Sequence, residues 1–479
     1  MDILMVAAEL GPYARASEAA DVVAALSKTL RQLGHDVTLA LPRYPGFEAH
    51  GLLMARRLTP LSLAGGGEVM LFDGQLASGV RLVLFDAPEL YQRPGVFGEE
   101  GKNYPDNAAR FGLFAQAVVA FVRERQEQGQ PFDVVHLHDW PTALIPLVLS
   151  RGSGLSVPTV LTVNDFRQQG GLSSRDLGAL GIAKEIYADG ALKLDGRVSL
   201  LKAGLLFADV SVTASRRFVA ELRRDEKLGA LPRFVEEHGV ELVSVPLALD
   251  YAHYNPAADP SLPSRYDAEA PDRKGVCKTD LVRKLGLELE TSRPLAIVQG
   301  ALTKESGSDV LAAALPQLLD NDVALVVAGS GSRLLEKKFE KQAQRLPERF
   351  AWVPTPDVAM IRRLVAAADM AIVPDRFVPY GSAVLLAARY GAIPVAHAAG
   401  CIHELVVDAD AQLQTGTGFL FDECTPEALV GAFRRGLSAY RKPAWELLRR
   451  RVMRQDLGWD RPARRYVQLY RQAVAAKSE

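Results

Sequence analysis

The sequence predicts an α/β protein made of two doubly wound domains in series, each on a parallel sheet. Three observations predict it. Short apolar runs alternate with helix-like stretches in one series that starts at ILMVAA (3–8). A second such series starts at PLAIVQG (294–300). The 479 residues suit two or three domains, each large enough for its own core.

The first series runs in order. ILMVAA is followed by a helical pattern on Val22, Val23, Leu26 and Leu30, ended by Gly34. DVTLALP (36–42), LVLF (82–85), DVVHLH (133–138) and PTVLTV (158–163) are strands, with helices near 105–124 and 141–150. Residues 165–255 read as helices and loops ending in LVSVPL (242–247). The Pro-, Asp- and Ala-rich stretch 255–275 reads as a surface excursion between domains. The second series has strands at 294–300, 322–332, 349–354, 370–374 and 393–398. Helices at 309–319, to about 346, 357–367 and after 382 separate them, and three more near 425–438, 443–455 and 461–476 close the chain. Ligands of such domain pairs bind beyond the C-terminal strand ends, in the cleft between the domains.

The composition excludes several classes. Apolar residues make up 48% and charged residues 24%, as in ordinary globular proteins. The 56 Lys and Arg against 57 Asp and Glu give a net charge of −1, so neither nucleic acid nor an acidic membrane is an expected partner. Cys277, Cys401 and Cys424 are widely spaced, fit no zinc pattern, and point to a reducing cytoplasm. The first residues lack the basic start of a signal peptide, and no apolar run reaches 18 residues.

Longer segments carry a resemblance. "MDILMVAAE", "DVVAALSKTLRQLGHDVTLALPRYPGF", "YPDNAARFGLFAQA", "FDVVHLHDWPTALIPLVL" and "LKAGLLFADVSVTAS" come in the order seen in bacterial glycogen and starch synthases. So do "YNPAADP", "KGVCKTDLVRKLGL", "ARYGAIPV", "GTGFLFDECTPEAL" and "WDRPARRYVQLY", and the resemblance covers nearly the whole chain. It implies the GT-B architecture, two Rossmann-like doubly wound domains facing across a cleft. The implied boundaries are an acceptor-side domain at 1–255, an excursion at 256–290 and a nucleotide-sugar-side domain at 291–455. A C-terminal helix, 456–479, crosses back to the N-terminal domain. The implied reaction moves glucose from ADP-glucose or UDP-glucose to an α-1,4-glucan with retention, without metal or other cofactor.

Such a reaction needs cations and helix N-termini to stabilise the leaving diphosphate. Here the sequence departs from the family pattern. The opening motif of a lysine, a small residue and two glycines reads Arg15, Ala16, Ser17, Glu18. At the second motif, Ala301 and Ser306 stand where the family has arginine and lysine, with Lys304 displaced by two residues. Val378 replaces the loop glutamate in "DRFVPYGSAVL", while Pro379 and Gly381 remain and Tyr380 replaces a cysteine. Asn164 replaces the histidine of a Thr-Val-His-Asn turn, and cannot become cationic. Ala248 and Leu249 replace an Asn-Gly pair, and the Thr-Gly-Gly-Leu turn reads Ala399, Gly400, Cys401, Ile402.

Glu9, Asp21, His138, Asp139 and Trp140 remain. Each also has a structural reading: Asp21 as a cap or ion pair of the first turn, and 138–140 as packing at a strand end. His397 and His403 read as packing or surface groups, and "AGSGSR" (328–333) as a tight turn. The sum is an expectation that no intact catalytic set exists, with Asp139 the retained catalytic candidate. Arg15, Asp21, Lys304 and Gly381 are the nucleotide-sugar candidates. The expected role is binding of α-glucan, maltooligosaccharide, nucleotide or nucleotide sugar, or regulation of an active synthase. The competing expectation is a working glucan synthase in which Arg15, Lys304, Asn164 and Asp139 substitute for the missing groups, or transfer from another donor.

Overall fold

A computed structural model of the chain describes residues 1–99, 101–187, 190–223, 225–288, 290 and 292–478. Thr291, expected as the first residue of the second Rossmann-like domain, and Glu479, the last of the returning helix, lie outside the described residues. The chain divides into two units, Met1–Leu247 with Trp459–Glu479, and Ala248–Gly458.

The first unit is built on strands that are apolar on both faces. Asp2–Val6 and Val134–His138 pair in parallel, and Ile3, Leu4, Met5, Val134, Val135 and Leu137 are fully buried. The parallel core runs Leu242–Ser244, Val210–Thr213, Thr159–Thr162, Val134–His138, Asp2–Val6, Asp36–Pro42, Arg81–Asp86. In chain order that is 7-6-5-4-1-2-3, so the order reverses between Asp2–Val6 and Val134–His138. Ligands of such sheets bind at the reversal, outside the carboxyl ends of the two strands. The chain leaves these two strands at Ala7 and Asp139.

The second unit repeats the plan. Phe350–Val353, Ala324–Ala328, Leu295–Gln299, Met370–Val373, Ile393–His397 and Phe419–Phe421 form a six-stranded parallel sheet. Its order is 3-2-1-4-5-6, with the reversal between Leu295–Gln299 and Met370–Val373. The loops after those strands, from Gly300 and from Pro374, are the second and third motifs.

The C-terminal helix Asp460–Ser478 belongs to the first unit, as the resemblance implied. Buried polar groups fix it there. Tyr466 OH and Thr162 Oγ1 share a hydrogen bond at 3.0 Å. Tyr470 OH lies 2.7 Å from His136 Nδ1, whose Nε2 lies 2.8 Å from Thr162 Oγ1. Burial pushes the His136 ring well below the usual histidine range, so it is neutral.

Three local differences from the sequence expectation have plain causes. Glu68–Gln75 is an antiparallel strand beside Arg81–Asp86, closed by a hairpin through Gly79 at φ +82°. Over Glu68–Phe72 its residues alternate in burial, with Val69 and Leu71 buried, the period-two signal of a one-sided strand. Val210–Thr213 is a buried parallel strand of only four residues inside the stretch read as helices and loops. The 255–275 segment packs closely on the second unit. Leu262 and Tyr266 are buried, and Tyr266 OH donates to Tyr390 O at 2.8 Å. Its Pro and Asp content also serves turns, such as the one Asp259 closes with Ser261, while Pro260, Pro263, Asp267 and Asp272 are exposed.

No helix among the described residues is long and apolar enough to cross a membrane.

Candidate functional site

In the first unit the opening turn and the Asp139 turn follow the two strands that flank the sheet reversal. The opening turn is organised by Glu9, which is 5% exposed. Its carboxylate accepts from the backbone N–H of Ala16 at 2.7 Å and of Ser17 at 2.5 Å, and from Ser17 Oγ at 2.9 Å. Burial pushes the Glu9 carboxyl above its usual range, and these three hydrogen bonds oppose the shift. Arg15 donates to Asp21 at 2.7 Å, and both side chains are about half exposed. That is the ion-pair reading of Asp21, and such a pair adds at most about 1 kcal/mol. Glu18 precedes the helix Ala19–Gln32 without capping it by its side chain.

The Asp139 turn holds the stronger signal. Asp139 sits at φ +56°, ψ −175°, a backbone region that favours glycine. Two hydrogen bonds hold it there. Its N–H donates to Thr162 O at 2.8 Å, and its Oδ1 accepts from Asn164 N at 2.8 Å. Oδ2 of Asp139, both polar atoms of the Asn164 side chain and both ring nitrogens of His138 are buried without a hydrogen-bond partner. Burial pushes Asp139 up to about 7, the charges of Asp165 and Glu9 add to this, and the Asn164 N–H opposes it. Burial also pushes His138 down to about 3. Its ring packs on His136 at 4.2 Å between centroids. Trp140 has the packing role, against Phe111 at 4.9 Å and Phe97 at 5.4 Å. Five buried polar side-chain atoms without a hydrogen-bond partner thus gather at one strand end. At neutral pH the His138 ring and the Asn164 amide are uncharged, and Asp139 is near its midpoint.

In the second unit the structure brings three motif segments together. Gly307 lies so close to Pro374 that a Cβ would meet its carbonyl oxygen at 2.0 Å. Arg376 grips Asp309 with both terminal guanidinium nitrogens and also donates to Lys304 O. Sequence reasoning missed Arg376, although it lies two residues before Val378 in the quoted motif.

Around this frame Ser306 and Val378 have structural roles. Ser306 Oγ donates into its own turn, 2.5 Å from Ala301 O and 3.0 Å from Thr303 O, and accepts from Thr303 N at 3.1 Å. A lysine there would extend out of the turn; the serine closes it. Ala301 and Lys304 are exposed. Val378 is 6% exposed and packs in an apolar cluster with Val373, Ala399, Cys401 and Ile402. Cys401 Sγ donates to Val378 O at 3.4 Å. Gly381, at φ +70°, starts the helix Ser382–Arg389, and a Cβ on it would meet Cys401 Sγ at 2.8 Å. The "AGSGSR" stretch is a turn bonded to the second motif through Leu302 N to Ser330 O and Ser332 N to Leu302 O. His397 fills a packing role, with Nδ1 2.8 Å from Asp375 O and Nε2 3.2 Å from Asp422 O. Among the described residues no group of three or more His, Cys, Asp or Glu side chains is placed to hold a metal ion.

Comparison with known proteins gives one answer. The family model "Starch synthase catalytic domain" matches residues 2–237, and "Glycosyl transferases group 1" matches 285–447. A glycogen synthase of Geotalea uraniireducens is 32% identical over 489 residues, covering 100% of both chains. One from Anaeromyxobacter sp. (strain Fw109-5) is 34% identical over 484 residues, covering 99% of this chain and 100% of that protein. The catalytic domain of starch synthase IV from Arabidopsis thaliana, solved bound to ADP and acarbose, superposes with a TM-score of 0.87 at 26% identity over 99% of each chain. Sucrose-phosphate synthase of Thermosynechococcus elongatus, 17% identical with a TM-score of 0.60 over 99% of each chain, shares the fold.

Proposed function

The chain belongs to the glycogen and starch synthase family with its GT-B fold, and from that premise we propose that it binds sugar ligands of α-glucan metabolism without transferring glucose. The observation that carries this reading is Val378, built into an apolar cluster at the position of the family's loop glutamate. A buried valine offers neither charge nor hydrogen bond to a donor sugar. Two further changes agree with it. The Ser306 hydroxyl is spent on its own turn, and Ala301 has no donor to offer a diphosphate. Losing one oriented donor of that kind costs about 3–4 kcal/mol of barrier.

Recognition outlasts chemistry in this reading. The unpartnered Asp139, Asn164 and His138 groups suit the hydroxyls of an α-glucan or maltooligosaccharide. Arg15 and Asp21 in the first unit, and separately Lys304 and the helix start at Gly381 in the second, are the groups each unit has left for a nucleotide or nucleotide sugar. The role is then to hold glucan or to regulate an active synthase, in a reducing cytoplasm that suits three cysteines outside any disulfide.

The test is incorporation of radiolabelled glucose into glycogen from ADP-glucose and, separately, from UDP-glucose. The expected result is none above background. A variant carrying Ala301→Arg, Ser306→Lys and Val378→Glu, checked for folding by thermal melting, serves as the gain-of-function arm. Robust incorporation by the unaltered protein overturns the proposal in favour of a working synthase. Calorimetric titration with maltooligosaccharide and with ADP checks the two binding halves.

A further inference from the structure

Away from the motif loops, the second unit contains a cavity of about 390 Å³. That lies within the range of small-molecule sites, about 300–1,000 Å³. Its lining includes Tyr251, Asn255, Asp267, Arg389, Arg454 and Asp456. All of them fall just after the chain enters this unit, just before it leaves, or at the end of the helix Ser382–Arg389.

The bonding of the lining charges is uneven. Arg454 is paired bidentately with Glu269, at 2.8 and 2.9 Å. Asp267 Oδ1 accepts from Glu269 N and Ala270 N, and Asp456 Oδ1 accepts from Gly458 N at 3.3 Å. Each of these two aspartates therefore uses one oxygen in a turn. Arg389 is held in place by stacking over Tyr251 at 4.2 Å and by donating Nη2 to Asn255 Oδ1 at 2.9 Å. Its Nε is buried with no acceptor.

We propose that this cavity binds a small polyhydroxylated anion. The phosphate or carboxylate of the ligand sits on Arg389, whose planar fork suits either group. Its hydroxyls donate to the carboxylates of Asp267 and Asp456. Those carboxylates can only accept, so they repel a bare anion and reward one that brings its own donors. The site is separate from the transfer chemistry. The helix Ser382–Arg389, which follows Gly381, carries Arg389 from the motif region to this cavity.

Calorimetry on the full chain tests this, with glucose 1-phosphate, gluconate, inorganic phosphate and glucose as separate titrants. One-site binding of glucose 1-phosphate or of gluconate is expected, and the tighter of the two identifies the anionic group. Inorganic phosphate and glucose bind about tenfold more weakly or worse, a difference of about 1.4 kcal/mol. Arg389→Gln loses about tenfold in affinity for the favoured ligand. Asp456→Asn weakens the hydroxylated anion while strengthening inorganic phosphate, an opposed pair of shifts that unfolding cannot mimic. The proposal is overturned if neither hydroxylated anion gives saturable heat. It is also overturned if binding survives Arg389→Gln, or if inorganic phosphate binds as tightly. Glucose incorporation is read in a different assay, so either proposal can fail without the other.

Discussion

Asp139 accepts a hydrogen bond from the backbone N–H of Asn164 through one oxygen and leaves the other buried without a partner. The side chain of the donating residue, Asn164, is a neutral amide. No cation faces the carboxylate from that position, and burial pushes the group up to about 7. The fold therefore prefers Asp139 protonated. Its unfolded value is near 3.8. Between pH 4 and 7 the folded chain holds a proton that the unfolded chain has released. The stability tied to that proton is complete below about pH 4 and is lost as pH rises to 7. Urea unfolding at pH 5 and pH 8 should show the unaltered protein losing about 3 kcal/mol more than Asp139→Asn over that interval.

Val378→Glu alone should destabilise the protein. The new carboxylate would enter the cluster of Val373, Ala399, Cys401 and Ile402. A loss of about 2–4 kcal/mol is expected, read as a lower melting temperature. An unchanged melting temperature would mean that the loop opens freely and that the apolar cluster is no barrier to restoring the glutamate.

Ser306→Ala should cost about 1–2 kcal/mol by thermal or urea unfolding, because one hydroxyl serves two carbonyls and one backbone N–H. The same change should leave glucose incorporation at background, since the hydroxyl is committed to the turn.

Tyr470→Phe and Tyr466→Phe each remove a hydroxyl from the network of His136 and Thr162. Each should cost about 1–3 kcal/mol. The two effects should fall short of additivity in a double-mutant cycle, since both act through Thr162 and His136.

The alternating apolar runs made the two parallel sheets legible, because strands buried on both faces leave continuous Val, Ile and Leu tracts. Glu68–Gln75 was not legible by that rule: it is buried on one face, and half of its pattern is polar. Ala301, Ser306, Val378 and Asn164 read in the sequence as departures from the family motifs, but the contacts they make in the fold were not legible there. That Ser306 would fold back on Ala301 O, or that Val378 would join Cys401 and Ile402, depends on contacts across loops distant in sequence. Arg376 went unremarked for the same reason, as its partner Asp309 lies 67 residues away. Asp139 was a candidate from its position alone, but its protonation follows from burial and neighbouring charge, which a string of residues does not display.

The returning helix has a consequence for how the chain is completed. The second unit, Ala248–Gly458, is one uninterrupted stretch, whereas the first needs Trp459–Glu479. On the ribosome the second unit has its full sequence before the first does. Until the last helix emerges, Thr162 and His136 lack Tyr466 and Tyr470. A polypeptide ending at Leu247 would expose that face of its sheet, so premature termination yields an incomplete domain rather than a smaller working one.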